Sequence, residues 1–435
     1  MLIQELVLIR KKQMTNKIFG AFKQPSFSYL WLSEIFTQIA FNLFNFFLIL
    51  HVFELTKSNT AVSLIVVTFT LPAILFGILA GILVDRWSKK RVLLFANILR
   101  GIIIIPLAFF INDLALVFII SFLISVITQF FVPAETPLIP LVVPKDILFS
   151  ANAMFGLGLY GSILVAYLIS GPVILFLGAK YTLLFLSILF LISAVFTTGI
   201  KLDHPGKKKK ALLRTSKAAM MDEVKSAITM MKASKPIYNS LFLLALSQIL
   251  LLVLAVIAPG YATQILKVNV NNFPILFIAP AALGVLVGAV VLATFFHDRS
   301  REKLSTAGLF LSGIAMFLLP YGANISARQI IQTLNGFLPK VIDITTLHIV
   351  VVIAFVLGFA NAFVFVPSNT ILQEKTSDEF RGKIYGVLNA LVGIFSLIPI
   401  LVVGSLSDIF GIEKVIVGIA VILLSLGVSR VLFDF

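Results

Sequence analysis

Twelve apolar stretches, each near the length of a bilayer crossing, constrain this chain more than any other feature. A membrane helix needs about 20 mainly apolar residues. Such runs occur at 30–54, 61–84, 92–111, 114–133, 152–176, 181–200, 238–259, 274–296, 304–321, 347–367, 384–406 and 413–433. The turn signal Asn112-Asp113 separates the third from the fourth. None alternates polar and apolar residues as a membrane barrel strand would. The expected fold is an all-helical membrane protein with twelve transmembrane helices. With 60% hydrophobic and only 12% charged residues, an ordinary cytosolic enzyme and a disordered chain are both excluded. The absence of cysteine excludes disulfides, Cys-zinc sites, iron–sulfur clusters and thiol catalysis. The four histidines lie far apart in sequence, so neither a metal site nor a bound cofactor is expected. No cleavable signal peptide is expected, because the first thirteen residues place their short apolar run before the basic cluster Arg10-Lys11-Lys12. Met14 is an alternative start.

The formal net charge is +15, and its placement decides its meaning. Of the 34 lysines and arginines, 27 fall at the termini and in the loops that lie on one side if the N-terminus is cytoplasmic. Six fall in the opposite loops, and Arg100 lies inside span 3. Basic loops stay in the cytoplasm, so both termini are expected there, in a bacterial inner membrane. The excess positive charge then faces anionic lipid headgroups, not nucleic acid.

The longest inner loop divides the chain into six spans plus six. The expected segments are a cytoplasmic N-terminal stretch at 1–29, a first bundle at 30–200, a basic linker at 201–237 and a second bundle at 238–435. Near 217–234 the linker places Met220, Met221, Val224, Ala227, Ile228 and Met231 on one face of a helix, which suits a strut lying on the membrane surface. The two halves also echo each other. Gly77 and Gly81 in span 2 match Gly284 and Gly288 in span 8. Phe131-Val132-Pro133 matches Phe365-Val366-Pro367. Gly171 and Gly178 bracket the 5–6 turn as Gly404 and Gly411 bracket the 11–12 turn. A pseudo-symmetric pair of six-helix bundles around a midplane site is the architecture of alternating-access transporters.

The 2–3 loop reads Gly81-Ile-Leu-Val-Asp85-Arg86-Trp-Ser-Lys-Lys90-Arg91. This resembles the signature of the major facilitator superfamily, and the 8–9 loop from His297 to Lys303 looks like its degenerate copy. The stretches Phe130–Glu135, Leu141–Asp146 and Ser150–Ala153 resemble the macrolide-efflux and enterobactin-exporter-like branch, as do Pro367–Glu374, Ser377–Lys383 and the span 1 entry Phe27–Glu34. Gly171-Pro172 is similar to the proton-antiporter signature, which the chain departs from at Leu175 and Phe176. The resemblance implies the major facilitator fold. It also implies that Gly81, Asp85, Arg86, Lys90 and Arg91 latch the outward-open state, and Gly77 and Glu135 are grouped with them in an inner-face conformational motif. On the residues themselves, the glycines permit close helix approach, Asp85 can cap or charge-pair a helix end, and the basic residues suit headgroups.

Polar stripes inside the spans mark a substrate cavity. Glu34, Gln38, Asn42 and Asn45 share one face of span 1, and Ser121, Ser125 and Gln129 share one face of span 4. Such groups are costly against hydrocarbon, so they face a wet cavity or another helix. Asn361 and Asn389 are second-half candidates. Glu34 and Arg100 are the full charges clearly inside first-half spans, roughly 8–13 Å from the inner surface at 1.5 Å per residue. They suit proton coupling, with a structural ion pair as the alternative. Glu135 and Asp85 are expected in a charge network with Arg86 and Arg91. Gly156-x-Gly158-x-x-Gly161 fits a dinucleotide fingerprint, but it lies inside span 5 with no strand before it, so helix packing is the expected role. The expected function is a non-enzymatic, monomeric secondary transporter that exports a small amphiphilic molecule by proton antiport. A lipid flippase or importer of the same fold is the alternative within transport. A membrane-embedded enzyme is the rival outside it, and it would need clustered catalytic His, Asp or Ser.

Overall fold

A computed structural model describes residues 19–144, 147–202, 234–269, 272–296, 299–321, 335, 345–376 and 378–433. The extension before Phe19, the basic linker with its amphipathic stretch, and His297-Asp298 of the 8–9 loop lie outside the described residues. The long helices are α1 (Pro25–Thr56), α2 (Asn59–Arg86), α3 (Lys89–Phe109), α4 (Leu114–Glu135) and α5 (Leu148–Gly199). They continue with α6 (Lys235–Gly260), α7 (Ala279–Phe295), α8 (Arg301–Leu318), α9 (Thr346–Lys375), α10 (Asp378–Phe410) and α11 (Ile412–Phe433). No strand occurs among the described residues.

Among the described residues, ten stretches are long and apolar enough to cross a membrane. One of them lies in α5, whose 52 residues would run about 78 Å if straight, more than twice the hydrocarbon core. The helix instead turns at Gly178, where φ is 70° and ψ 173°. That φ is open to glycine and strained for other L-residues, so α5 supplies spans 5 and 6. Helix α8 falls outside the ten because its 18 residues open with Arg301-Glu302-Lys303. With α5 divided at Gly178 and α8 added, the described residues hold twelve membrane helices. Gly411, between α10 and α11, also has positive φ, at 88°. The two glycines matched in sequence therefore close the two equivalent turns.

Contacts divide the chain into two units. Unit 1 comprises Met1–Leu48 and Thr68–Ala211; unit 2 comprises Ile49–Val67 and Leu212–Phe435. The tip of the α1–α2 hairpin thus goes with the second unit. In unit 1 an apolar core joins Phe27 and Leu30 of α1, Val84 of α2, Leu93 and Ala96 of α3, and Phe131 and Ala134 of α4 to Ala151, Met154 and Phe155 of α5. Trp31 closes its edge, with the indole Nε1 donating to the Met154 carbonyl at 2.9 Å. A Cβ at Gly158 would come within 2.5 Å of that same Nε1, whereas Gly156 and Gly161 face open space. The fingerprint-like glycines are therefore helical, and one of them seats the indole.

Unit 2 is built on close backbone contact. A Cβ added to Gly358 of α9 would lie 1.8 Å from the Ala281 carbonyl of α7, and one added to Gly284 would lie 2.0 Å from the Phe355 carbonyl. The Gly284–Gly288 pair is thus a helix-packing surface of the small-residue kind. Its sequence counterpart differs: Gly77 has Gln129 at 3.8 Å, and Gly81 has nothing within 4 Å. Asp408, near the end of α10, anchors the hairpin tip. Its carboxylate accepts from the backbone N–H of Asn59 at 2.8 Å and Thr60 at 2.9 Å. It also accepts from Ser58 Oγ at 2.6 Å, Asn59 Nδ2 at 2.9 Å and Thr60 Oγ1 at 2.7 Å. The two backbone N–H groups are orphan donors of the kind that begin a helix.

Candidate functional site

Unit 1 gathers three charges where the apolar spans leave almost none. Helix α1 presents Glu34 and, one turn on, Gln38. Helix α3 presents Arg100, and α4 ends at Glu135 just after Pro133. Glu34 and Arg100 have no exposed surface, and Glu135 is 6% exposed. The Glu34 carboxyl faces the Glu135 carboxyl and the Gln38 amide, and both carboxyls lie within electrostatic reach of Arg100. Glu135, expected beside Asp85, Arg86 and Arg91, stands next to Glu34 in the fold.

Arg100 is held by soft contacts. Its Nη1 donates to Asn97 Oδ1 at 3.2 Å. Its guanidinium carbon lies 4.6 Å from the Phe131 ring centre, 5.6 Å from Phe190 and 6.0 Å from Phe41, an aromatic cage for a cation. Both Glu34 oxygens, Glu135 Oε1, and Arg100 Nε and Nη2 are buried without a hydrogen bond. The charges therefore interact through a low-dielectric space instead of as a closed ion pair.

Behind this group runs a hydroxyl network that the polar-stripe argument missed. Ser33 and Thr37, on the neighbouring face of α1, bond Ser193 Oγ at 2.9 and 2.7 Å, and Ser33 reaches Thr197 Oγ1 at 2.8 Å. Asn97 Nδ2 donates to Ser193 Oγ at 2.8 Å. Arg100 is thereby tied through Asn97 to the second arm of α5. A hydroxyl every fourth residue on both helices was the available signal, although its pairing across 160 residues was not.

The remaining stripe residues separate into local groups. Asn42 Nδ2 donates to the Gln38 carbonyl at 2.8 Å and to Gln38 Oε1 at 3.1 Å. The Asn45 Oδ1 and Ser125 Oγ atoms are buried without hydrogen bonds. Ser121 bonds Thr68, and Gln129 Nε2 donates to the Ser125 carbonyl at 3.2 Å. In unit 2, Asn361 Nδ2 donates to Ser247 Oγ at 2.8 Å, which joins α9 to α6. The side chains of Asp85 and Asn389 lie outside the described residues.

Of the loop motif, Lys90 Nζ donates to the Thr198 and Ile200 carbonyls at 2.8 and 2.6 Å, which caps the end of α5. Arg86 and Arg91 line a groove of about 640 Å³ with Trp87, Val92, Phe95, Leu99, Val126, Ile127 and Phe130. Trp87 stacks on Phe130 there, centroids 6.1 Å apart. Among the described residues, no group of three or more His, Asp or Glu could hold a metal ion.

The family model of the Major Facilitator Superfamily matches residues 30–398. Macrolide efflux protein A of Streptococcus pyogenes is 21% identical over 392 residues, covering 88% of this chain and 90% of the relative. The uncharacterized MFS-type transporter YvqJ of Bacillus subtilis is 26% identical over 421 residues, covering 94% and 92%. Among solved structures, the D323A mutant of the nucleoside transporter NupG superposes with a TM-score of 0.71 at 13% identity, covering 93% of this chain and 99% of that one. A bacterial homolog of the human lysosomal transporter Spinster, inward-facing and unoccupied, gives 0.67 at 14%, covering 93% and 96%.

Proposed function

The chain belongs to the major facilitator superfamily, and on that premise we propose that this integral membrane transporter exports a small amphiphilic molecule, driven by proton entry. The observation that carries the reading is the buried group of Glu34, Arg100 and Glu135 on three helices of unit 1. Charges in a membrane interior are costly and mark ion or substrate pathways. Efflux as the direction is supported by the name of the S. pyogenes relative, similar over most of both chains. The substrate is a macrolide-, drug- or siderophore-like molecule with apolar and hydrogen-bonding parts, matched to Phe-rich walls and to Gln38, Asn42 and Asn45.

In this reading a bound proton and a bound substrate alternate. Neutralising Glu34 removes most of the cost of closing the site into a dry interior. Releasing the proton to the cytoplasm restores the charge and resets the cycle. Asp85 and its basic neighbours latch one of the two access states. Both termini face the cytoplasm of a bacterial inner membrane, the transporter works as a monomer, and its basic loops contact anionic lipid.

The test is purified protein in liposomes under an imposed pH gradient, assayed with a 14-membered macrolide, a catecholate siderophore, ethidium and a lysolipid. Gradient-dependent flux of one of the first three, uncoupled in Glu34→Gln, is the expected result. Movement of the lysolipid alone turns the assignment to a flippase. Proton-driven flux that survives Glu34→Gln unchanged removes Glu34 from the coupling.

A further inference from the structure

We infer that Glu34 and Glu135 are one proton site, two carboxyls sharing a single proton against the fixed charge of Arg100. The inference deepens the proton-driven reading and rests on it for its role in transport, but the site itself stands on geometry. Among the described residues, three charged groups face one another at the site. Helix α1 contributes Glu34, α3 contributes Arg100, and α4 contributes Glu135. The second arm of α5 contributes Phe190 and Ser193, neither of them charged. With all three groups ionised, the site would hold a net charge of −1 in a space with no exposed surface at Glu34 or Arg100.

An uncompensated buried charge is costly, because each ion loses its hydration without a partner to replace it. Two carboxyls sharing one site cannot both ionise cheaply, and the usual outcome is one proton held between them. Binding forms one O–H bond from a carboxylate lone pair, and release breaks it; nothing else changes. The count then closes at zero: one acid, one carboxylate, one guanidinium. The unpartnered atoms fit the same picture. Glu34 Oε1 and Oε2 and Glu135 Oε1 have no donor from the protein, and a carboxylic O–H supplies one. Arg100 adds no hydrogen bond to either carboxyl, so it sets the charge balance without closing the pair.

Infrared difference spectroscopy of the full-length protein in nanodiscs reads this without a substrate. At pH 7 in potassium buffer, the wild type is expected to show one protonated-carboxyl C=O band from the site. Glu34→Gln and Glu135→Gln should each abolish it, because either variant leaves one carboxylate balanced by Arg100. Arg100→Met should keep the band and strengthen it by a second proton, and its elution and helical content should match wild type. A band that survives Glu135→Gln means Glu34 binds the proton alone and overturns the proposal. No band in the wild type, or one that sodium removes, overturns it equally. The two readings fail separately. A shared proton without gradient-driven flux in liposomes sinks the coupling and leaves the site, whereas gradient-driven flux without the band sinks the site and leaves the coupling.

Discussion

Replacing Asp408 with alanine removes five hydrogen bonds from the start of α2. Two of these satisfy backbone N–H groups that have no partner inside the helix. Loss of an N-cap acceptor costs about 0.5–2 kcal/mol, with a further 0.3–1 kcal/mol for an anion at the positive helix end. Asp408 is exposed, so water takes over part of the bonding. A net loss of about 1–2 kcal/mol remains, a factor of about 5–30 in the local opening equilibrium. Amide hydrogen exchange in nanodiscs reads that equilibrium directly. The amides of Asn59 and Thr60 should exchange about 5–30 times faster in Asp408→Ala, and those in the middle of α4 should not change. Asp408→Asn keeps one carbonyl acceptor and should fall between. Unchanged exchange at 59 and 60 in the alanine variant would refute the claim that this carboxylate holds the hairpin tip.

Gly358→Ala forces a Cβ to within 1.8 Å of a backbone carbonyl, so α7 and α9 must separate. A loss of about 1–3 kcal/mol or more is expected, read as a lower thermal midpoint, with Gly156→Ala as the unstrained control. Gly158→Ala should displace the Trp31 indole and blue- or red-shift its fluorescence; an unshifted spectrum would mean the indole has room to spare. Lys90→Met removes both hydrogen bonds that its ammonium donates to the end of α5 and should cost about 1–2 kcal/mol after discounting for partial exposure, measured by denaturant-free thermal unfolding. Asp85→Asn is expected to slow initial transport rates in vesicles while the protein still inserts, and unaltered rates would detach Asp85 from the conformational cycle.

Span number and helix type were legible because twenty apolar residues in a bilayer have one solution. Gly178 and Gly411 were legible as a matched pair because turns of this kind require positive φ, and their offset repeats. The site was half legible. Glu34 and Arg100 were found because a charge in an apolar run stands out. Glu135 was assigned elsewhere because it sits at the very end of span 4, where a carboxylate ordinarily meets water. It is buried all the same, and the chain after it does not return to water: Leu138, Ile139 and Val142 join the apolar core of unit 1. Asp408 was silent for a similar reason: its partners lie about 350 residues away, and a lone aspartate before a turn carries no pairing information. For Asn361, a polar residue in span 10, the sequence carried no sign of its partner, Ser247 on α6.

The turn at Gly178 has a consequence in chirality. Its φ of 70° with ψ of 173° is the mirror image of an ordinary extended conformation, the one a D-residue prefers. An L-alanine there strains the hairpin of spans 5 and 6, whereas a D-alanine introduced by semisynthesis fits it and restricts the unfolded chain more than glycine does. Gly411 shares the positive φ, at 88°, so the two halves of the protein carry a handedness requirement at matched points, and a D-residue at Gly178 is expected to tighten the turn it occupies.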